Sequence, residues 1–321
     1  MKALRLQETS LLSFEETLLP QPGINEALIK ISHCAICRTD AKAWRYGQRD
    51  LVLPRVLGHE ICGTGENTGK RYIVWPGKSC GLCPHCLCGA ENLCPDMQIL
   101  GFHRDGGFAE YAVVPQSSLI PVPESLPGHI ACLAELLACG INALDRSHLS
   151  SSNRVLIFGG GPAGLLLALA ARTKGAQPFI LEKNHKKLQR SEDFRKCVGI
   201  DADTECAMPR ADVAVNAAPS LDAFLQGLTK LNAGGCFCLF SGFSETEPIP
   251  VALLNEIHYR QLKVVGAYGC THGQMQEALT ILNGQQNNVA LLIEDRITLD
   301  HVPHALEEVL TGERLKYVVE F

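Results

Sequence analysis

Four cysteines within one short loop, Cys80-x-x-Cys83-x-x-Cys86-x7-Cys94, have the spacing of a tetrahedral thiolate shell for one zinc ion. Gly81, Pro84 and Gly89 let the loop turn tightly. Metal binding supplies the order that so short a loop cannot gain from burial. His85 and Cys88 lie in the same loop, and spacing alone admits Cys88 in place of Cys94.

A second set of donors lies upstream, in Cys34-Ala35-Ile36-Cys37-Arg38-Thr39-Asp40 and Gly58-His59-Glu60. A catalytic zinc keeps three protein ligands and one open position. A thiolate and an imidazole, Cys37 and His59, suit such a borderline-soft ion. Asp40 is placed to accept the other ring N–H of His59 and fix its tautomer. A lone His is more often a satisfied core residue and a lone Cys a buried thiol; the company of the other motifs favours ligation. The third ligand stays open between Glu135 and Cys139, which share a helix face at i and i+4.

The third motif is Gly159-x-Gly161-x-x-Gly164, with Pro162 and Ala163 opening a predicted helix after the apolar run Val155-Leu156-Ile157-Phe158. In that context the glycines permit a tight turn and close approach of a pyrophosphate to a helix N-terminus. Glu182 follows the next apolar run, where a carboxylate hydrogen-bonds the adenosine ribose and repels a 2′-phosphate. Lys183, Lys186 and Lys187 come next and soften that discrimination.

The elements that must position these residues fall into two styles. The first part reads as β-rich, with β-prone runs at 27–32, 71–75 and 109–114 between Gly, Pro and Cys clusters. From about residue 153, apolar runs at 155–158, 178–181, 212–215, 236–240 and 262–265 alternate with helix-like segments. That alternation predicts an α/β fold with a doubly wound parallel sheet. A further strand near Val198-Gly199-Ile200 is weakly signalled. Helices are expected at 275–283 and 303–310, and an end strand at 315–321.

The 321 residues suffice for two domains. A net charge of −5 with both signs interspersed, and no basic block, argues against nucleic acid or an anionic membrane as partner. No apolar stretch reaches membrane-spanning length without polar interruption. Residues 1–8 lack the apolar core of a signal peptide, so the expected location is the cytoplasm. Fifteen cysteines in such a chain point to metal ligation and reduced core thiols, Cys236, Cys238 and Cys270 among the latter.

With these residues in hand, the chain resembles the zinc-dependent medium-chain alcohol dehydrogenases nearly end to end. The resemblance implies a β-rich GroES-like catalytic domain from residues 1–138 and 270–321, with a structural zinc lobe at 80–94. It implies a Rossmann domain at 139–269 between them. It places a catalytic zinc on Cys37 and His59 and a structural zinc on Cys80, Cys83, Cys86 and Cys94. The stretch Glu135-Leu136-Leu137-Ala138-Cys139 looks like the sorbitol and threonine dehydrogenase branch, which favours Glu135 as third ligand and a polyol-like substrate. The expected reaction is hydride transfer from a secondary alcohol to NAD, with Thr39 receiving the hydroxyl proton and Glu60 in the catalytic set. Arg38 is expected on the cofactor pyrophosphate. Phe102, His103, Trp44 and Tyr46 are candidates for the substrate pocket. A homodimer or homotetramer is expected. The chain departs from the family pattern at Lys42, where many members carry the relay histidine, and in a trimmed loop between Glu60 and Cys80. Competing readings are a zinc-free reductase on the same fold and a zinc- and nucleotide-binding regulator without turnover.

Overall fold

The computed structural model describes residues 1–205, 208–243 and 248–321. The chain divides into two compact units, Met1–Glu135 with Thr271–Phe321, and Leu136–Cys270.

The first unit is built on the strand Glu26–Ala35, long enough to pair with three others. Along one edge it runs antiparallel to Glu60–Gly65, with Ala35 opposite Glu60. Along the other it pairs with Tyr111–Pro115 over its first half and Lys316–Glu320 over its last. The strand therefore ends between Glu60 and the chain's last strand, and hands directly to Cys37. Leu4, Leu6, Ile29, Ile31, Phe108, Leu306 and Val319 are buried together beneath this sheet. Each contributes roughly 1.5–3 kcal/mol by leaving water. The loop trimmed after Glu60 is a tight hairpin: Thr64 pairs with Arg71, and Gly69 takes the left-handed conformation, φ 64°.

The helix Arg38–Tyr46 starts immediately after Cys37, which is its N-cap. Its buried side carries Asp40, Ala41, Ala43 and Trp44. The helix Val302–Thr311 contacts it.

The second unit holds six parallel strands: β1 (Arg154–Phe158), β2 (Gln177–Leu181), β3 (Asp201–Asp203), β4 (Ala211–Asn216), β5 (Leu231–Leu239) and β6 (Lys263–Gly266). Their order is β3-β2-β1-β4-β5-β6. This doubly wound order places a topological switch between β1 and β4, at the carboxyl end of β1 where dinucleotides bind. The central strand β1 is buried from Val155 to Phe158, as its continuous apolar run requires.

One expected strand is displaced. Residues 198–200 look β-prone, but Val198 ends the helix Glu192–Val198, and Gly199 caps it in the left-handed conformation, φ 67°. The strand begins only at Asp201. The run Gly128–Arg146 is long and apolar enough for a membrane span, but 83% of that window is buried inside the fold, as a core helix is.

Gly227 shows how closely the second core is filled. A Cβ there would stand 2.1 Å from the Phe237 ring. Gly227→Ala is expected to destabilise the protein by about 1–3 kcal/mol, as overpacking does; urea unfolding of the variant against the parent checks it.

Candidate metal centres and nucleotide loop

The centre of the first unit's site is a carboxylate. Asp40 is fully buried and accepts three hydrogen bonds. The backbone N–H of Cys37 donates to it at 3.0 Å and that of Gly58 at 3.1 Å. His59 Nδ1 donates to it at 3.1 Å. One residue thus closes the capping box that starts the helix, fixes the turn before His59 and sets that ring's tautomer. Nε2 of His59 is left as the ligand atom. Phe102 lies against the ring, with centroids 5.5 Å apart.

Burial disfavours charge on His59, but the Asp40 carboxylate, by charge and hydrogen bond, and then Cys37, hold its pKa well above the ordinary imidazole value. A cation held by this imidazole would compete with the proton that Asp40 favours, so its affinity is expected to rise with pH.

Ligand atoms of Cys37, His59 and Glu60 lie within 4.8 Å of one another. Glu60 is fully buried. Its Oε1 accepts from Lys316 Nζ at 2.5 Å, and Lys316 also donates to the Ile36 carbonyl at 2.8 Å. Burial works against charge on Lys316, and Glu60 then raises its pKa. Glu60 Oε2 is buried with no hydrogen-bond partner among the described residues. A buried carboxylate with one oxygen unpartnered among the described residues, grouped with a thiol and a tautomer-fixed imidazole, fits a cation such as zinc.

Glu135 and Cys139 stand one turn apart on the buried helix Ala134–Arg146, with ligand atoms within 4.8 Å of each other. The structure thus groups Glu60 with Cys37 and His59, a donor that its neighbouring position to His59 did not announce.

In the loop at 80–94, the sulfurs of Cys80, Cys83, Cys86 and Cys94 gather within 4.8 Å. Cys80 and Cys86 are 3.9 Å apart, and Cys83 and Cys86 3.5 Å. The backbone N–H groups of Leu82 and Cys83 point at Cys80 Sγ and pull its thiol down to about 7. Cys94 Sγ accepts from the Cys80 N–H at 3.3 Å, which ties the late cysteine to the early ones. Cys88 is exposed and donates to the His85 carbonyl instead. This donor set fits a closed structural zinc.

In the second unit, Gly159 turns the chain with φ 112° at the end of β1. A Cβ on Gly164 would stand 2.0 Å from the Gly159 carbonyl oxygen, so only glycine fits. A Cβ on Gly161 would meet nothing within 4 Å, and Gly161 N-caps the helix Pro162–Thr173, which Pro162 and Ala163 open. The helix N-terminus therefore faces open space beside glycine backbone, which fits a pyrophosphate. Glu182, just past β2, accepts from the Gly160 N–H at 2.8 Å and the Asn184 N–H at 2.9 Å. Lys187 Nζ is 3.8 Å from Glu182 Oε2.

Arg38 is exposed, with a guanidinium N–H on the Leu310 carbonyl at 3.4 Å. Thr39 is half-buried in the first helical turn. The Lys42 pKa is lowered by burial and then by Arg38. Trp44 is buried with its indole N–H unpartnered among the described residues, whereas Tyr46 is exposed. His103 Nδ1 accepts from the Ile99 N–H at 3.1 Å.

Residues 23–124 match the family described as "Alcohol dehydrogenase GroES-like domain". The chain is 30% identical to D-altritol 5-dehydrogenase of Agrobacterium fabrum, over 88% of this chain and 87% of that protein. It is 28% identical to sorbitol dehydrogenase of Halalkalibacterium halodurans, over 94% and 93%. A zinc-binding dehydrogenase from Sinorhizobium meliloti, solved bound to NADP, superposes with a TM-score of 0.89 at 28% identity, covering 100% of this chain and 99% of that one.

Asp40→Asn is expected to weaken zinc at the Cys37–His59 site by about 10–100-fold, as loss of such a histidine partner does. Zinc at the four-cysteine loop stays in place. Chelator competition with metal analysis of each fraction measures both. Cys88→Ser should keep the loop's zinc, and Cys94→Ser should lose it.

Proposed function

The chain belongs to the zinc-binding, NAD-dependent medium-chain dehydrogenases related to sorbitol and threonine dehydrogenases, and we propose that it oxidises a secondary hydroxyl of a polyol or sugar-like substrate with NAD. The observation that carries this reading is the trio of Cys37, His59 and Glu60, with one buried carboxylate oxygen unpartnered among the described residues. A structural role would call for a fourth protein donor; three leave room for a substrate hydroxyl.

When bound, the two cofactors supply Lewis acidity and a hydride acceptor. The chain's own residues do the rest. Cys37, His59 and Glu60 would hold the cation, and we assign the third position to Glu60 rather than Glu135 or Cys139. Asp40 keeps the His59 proton on Nδ1, so the donor nitrogen stays available. Lys316 retains one Glu60 oxygen and limits that side chain to one free donor. Thr39, two residues after Cys37, takes the substrate hydroxyl proton through its Oγ1 and passes it toward solvent. Lys42, one turn further along the helix, stands in the relay position. Gly159, Gly161 and Gly164 shape the pyrophosphate seat, and Arg38 adds a cation for it. Glu182 selects NAD over NADP by meeting the ribose hydroxyls, with Lys187 moderating its charge.

The free thiols throughout the described residues suit a reducing compartment, which supports a cytoplasmic location. Homo-oligomerisation is supported by the edge strand β6 and its neighbourhood. Val264 and Tyr268 are exposed there, as are Val251, Leu254 and Tyr259 on and beside the preceding helix.

A panel of polyols, sugar acids, amino alcohols and simple alcohols, followed by NADH absorbance, tests the reading. A rate confined to one polyol-like class supports it, and silence with two zinc ions per chain contradicts it. Glu182→Ala is expected to lower kcat/KM for NAD by about 10-fold or more while that for NADP rises or holds, an effect of roughly 1.4 kcal/mol. Glu60→Gln is expected to lose the catalytic zinc and turnover, whereas Glu135→Gln keeps the zinc; metal analysis of the two variants decides.

A further inference from the structure

The chain passes between its two units twice, after Glu135 and after Cys270. Cys139 lies one helical turn past the first passage, and Cys270 is the last residue before the second. Within the second unit, these two thiols come together. Cys139 and Asn142 share one face of the helix Ala134–Arg146. Asn142 Nδ2 donates to the Gly269 carbonyl at 2.9 Å and to the Tyr268 carbonyl at 3.5 Å. That grip fixes the segment 267–270 against the helix, and the sulfurs of Cys139 and Cys270 lie within 4.8 Å. The two are not alike: Cys139 is half-buried and Cys270 is buried.

We infer that Cys139 and Cys270 form a reversible disulfide under peroxide, stapling the helix after the chain's first passage to the segment before its second. Cys139, the more accessible thiol, gives its proton to solvent, and the thiolate attacks a peroxide oxygen. The O–O bond breaks, Cys139 becomes a sulfenic acid, and the departing hydroxide takes a proton to leave as water. Cys270 sulfur then attacks the sulfenic sulfur; the S–S bond forms and a second water leaves with the Cys270 proton. Two thiols and one hydrogen peroxide give one disulfide and two waters. A dithiol reductant reverses the bond by exchange.

The staple does not depend on the proposed activity; its effect on the cofactor rests on that reading. Segment 267–270 leaves the carboxyl end of β6, the side of such a sheet where dinucleotides bind. Stapling it removes adaptability at that rim, and the oxidised protein should bind NADH at least about threefold more weakly, a cost of roughly 0.65 kcal/mol.

The test treats the zinc-loaded full chain with hydrogen peroxide, blocks free thiols by alkylation, and maps peptides by mass. The expected result is a peptide pair linked through Cys139 and Cys270, abolished by dithiothreitol and absent in Cys270→Ser. Both residues recovered as alkylated thiols would overturn the staple. NADH titration of oxidised and re-reduced protein reads the second part. A linked peptide with an unchanged Kd would overturn the coupling to the cofactor, and a weakened Kd that persists in peroxide-treated Cys270→Ser would assign the loss to another residue and overturn it equally.

Discussion

The first unit's site depends on what a single buried carboxylate is asked to satisfy. Asp40 has no water to fall back on, so every lone pair it brings inside must find a donor. It finds the N–H groups of Cys37 and Gly58 and the ring of His59. Those three donors come from a helix start and from a turn eighteen and nineteen positions further along. Meeting them all brings the thiol and the imidazole to one place before any metal arrives. The same interaction that caps a helix therefore brings two candidate metal donors together.

A second constraint comes from the far end of the chain. Lys316 is buried, and its ammonium stays inside because Glu60 and the Ile36 carbonyl receive it. A buried ion pair of this kind is costly to break from either side. Its consequence is geometric: one Glu60 oxygen is taken, and the other is buried with no hydrogen-bond partner among the described residues. The nucleotide loop shows the same economy by other means. There the limiting quantity is space, since the Gly159 carbonyl lies where any Gly164 side chain would begin.

Much of this was legible in the residues. Apolar runs separated by glycine-rich turns announced the parallel sheet, and the strand–glycine–helix context located the nucleotide loop at its switch point. The third strand starts later than its β-prone Val198 and Ile200 suggest, because the glycine between them is a left-handed helix cap, a role that propensity does not read. Spacing could not choose between Cys88 and Cys94. The choice is made by the Cys80 N–H on Cys94 Sγ, a contact that exists only once the loop has closed. Glu60 was visible as a neighbour of His59, but its place beside the metal ligands follows from a lysine 256 positions away in sequence. Such pairings are set by strand order, with Glu60 and Val318 both opposite Ala35, and no local pattern carries them.

On this reading Cys37, His59 and Glu60 form one metal centre distinct from the four-cysteine loop. A crystal of the purified protein, with anomalous data collected on either side of the zinc absorption edge, tests it most directly. Two zinc peaks per chain are expected. One is bonded by Cys80, Cys83, Cys86 and Cys94; the other is about 2.3 Å from Cys37 Sγ and about 2.0–2.2 Å from His59 Nε2 and a Glu60 oxygen. A second peak held by Glu135 or Cys139 without Glu60, or no second peak from zinc-replete protein, would contradict it.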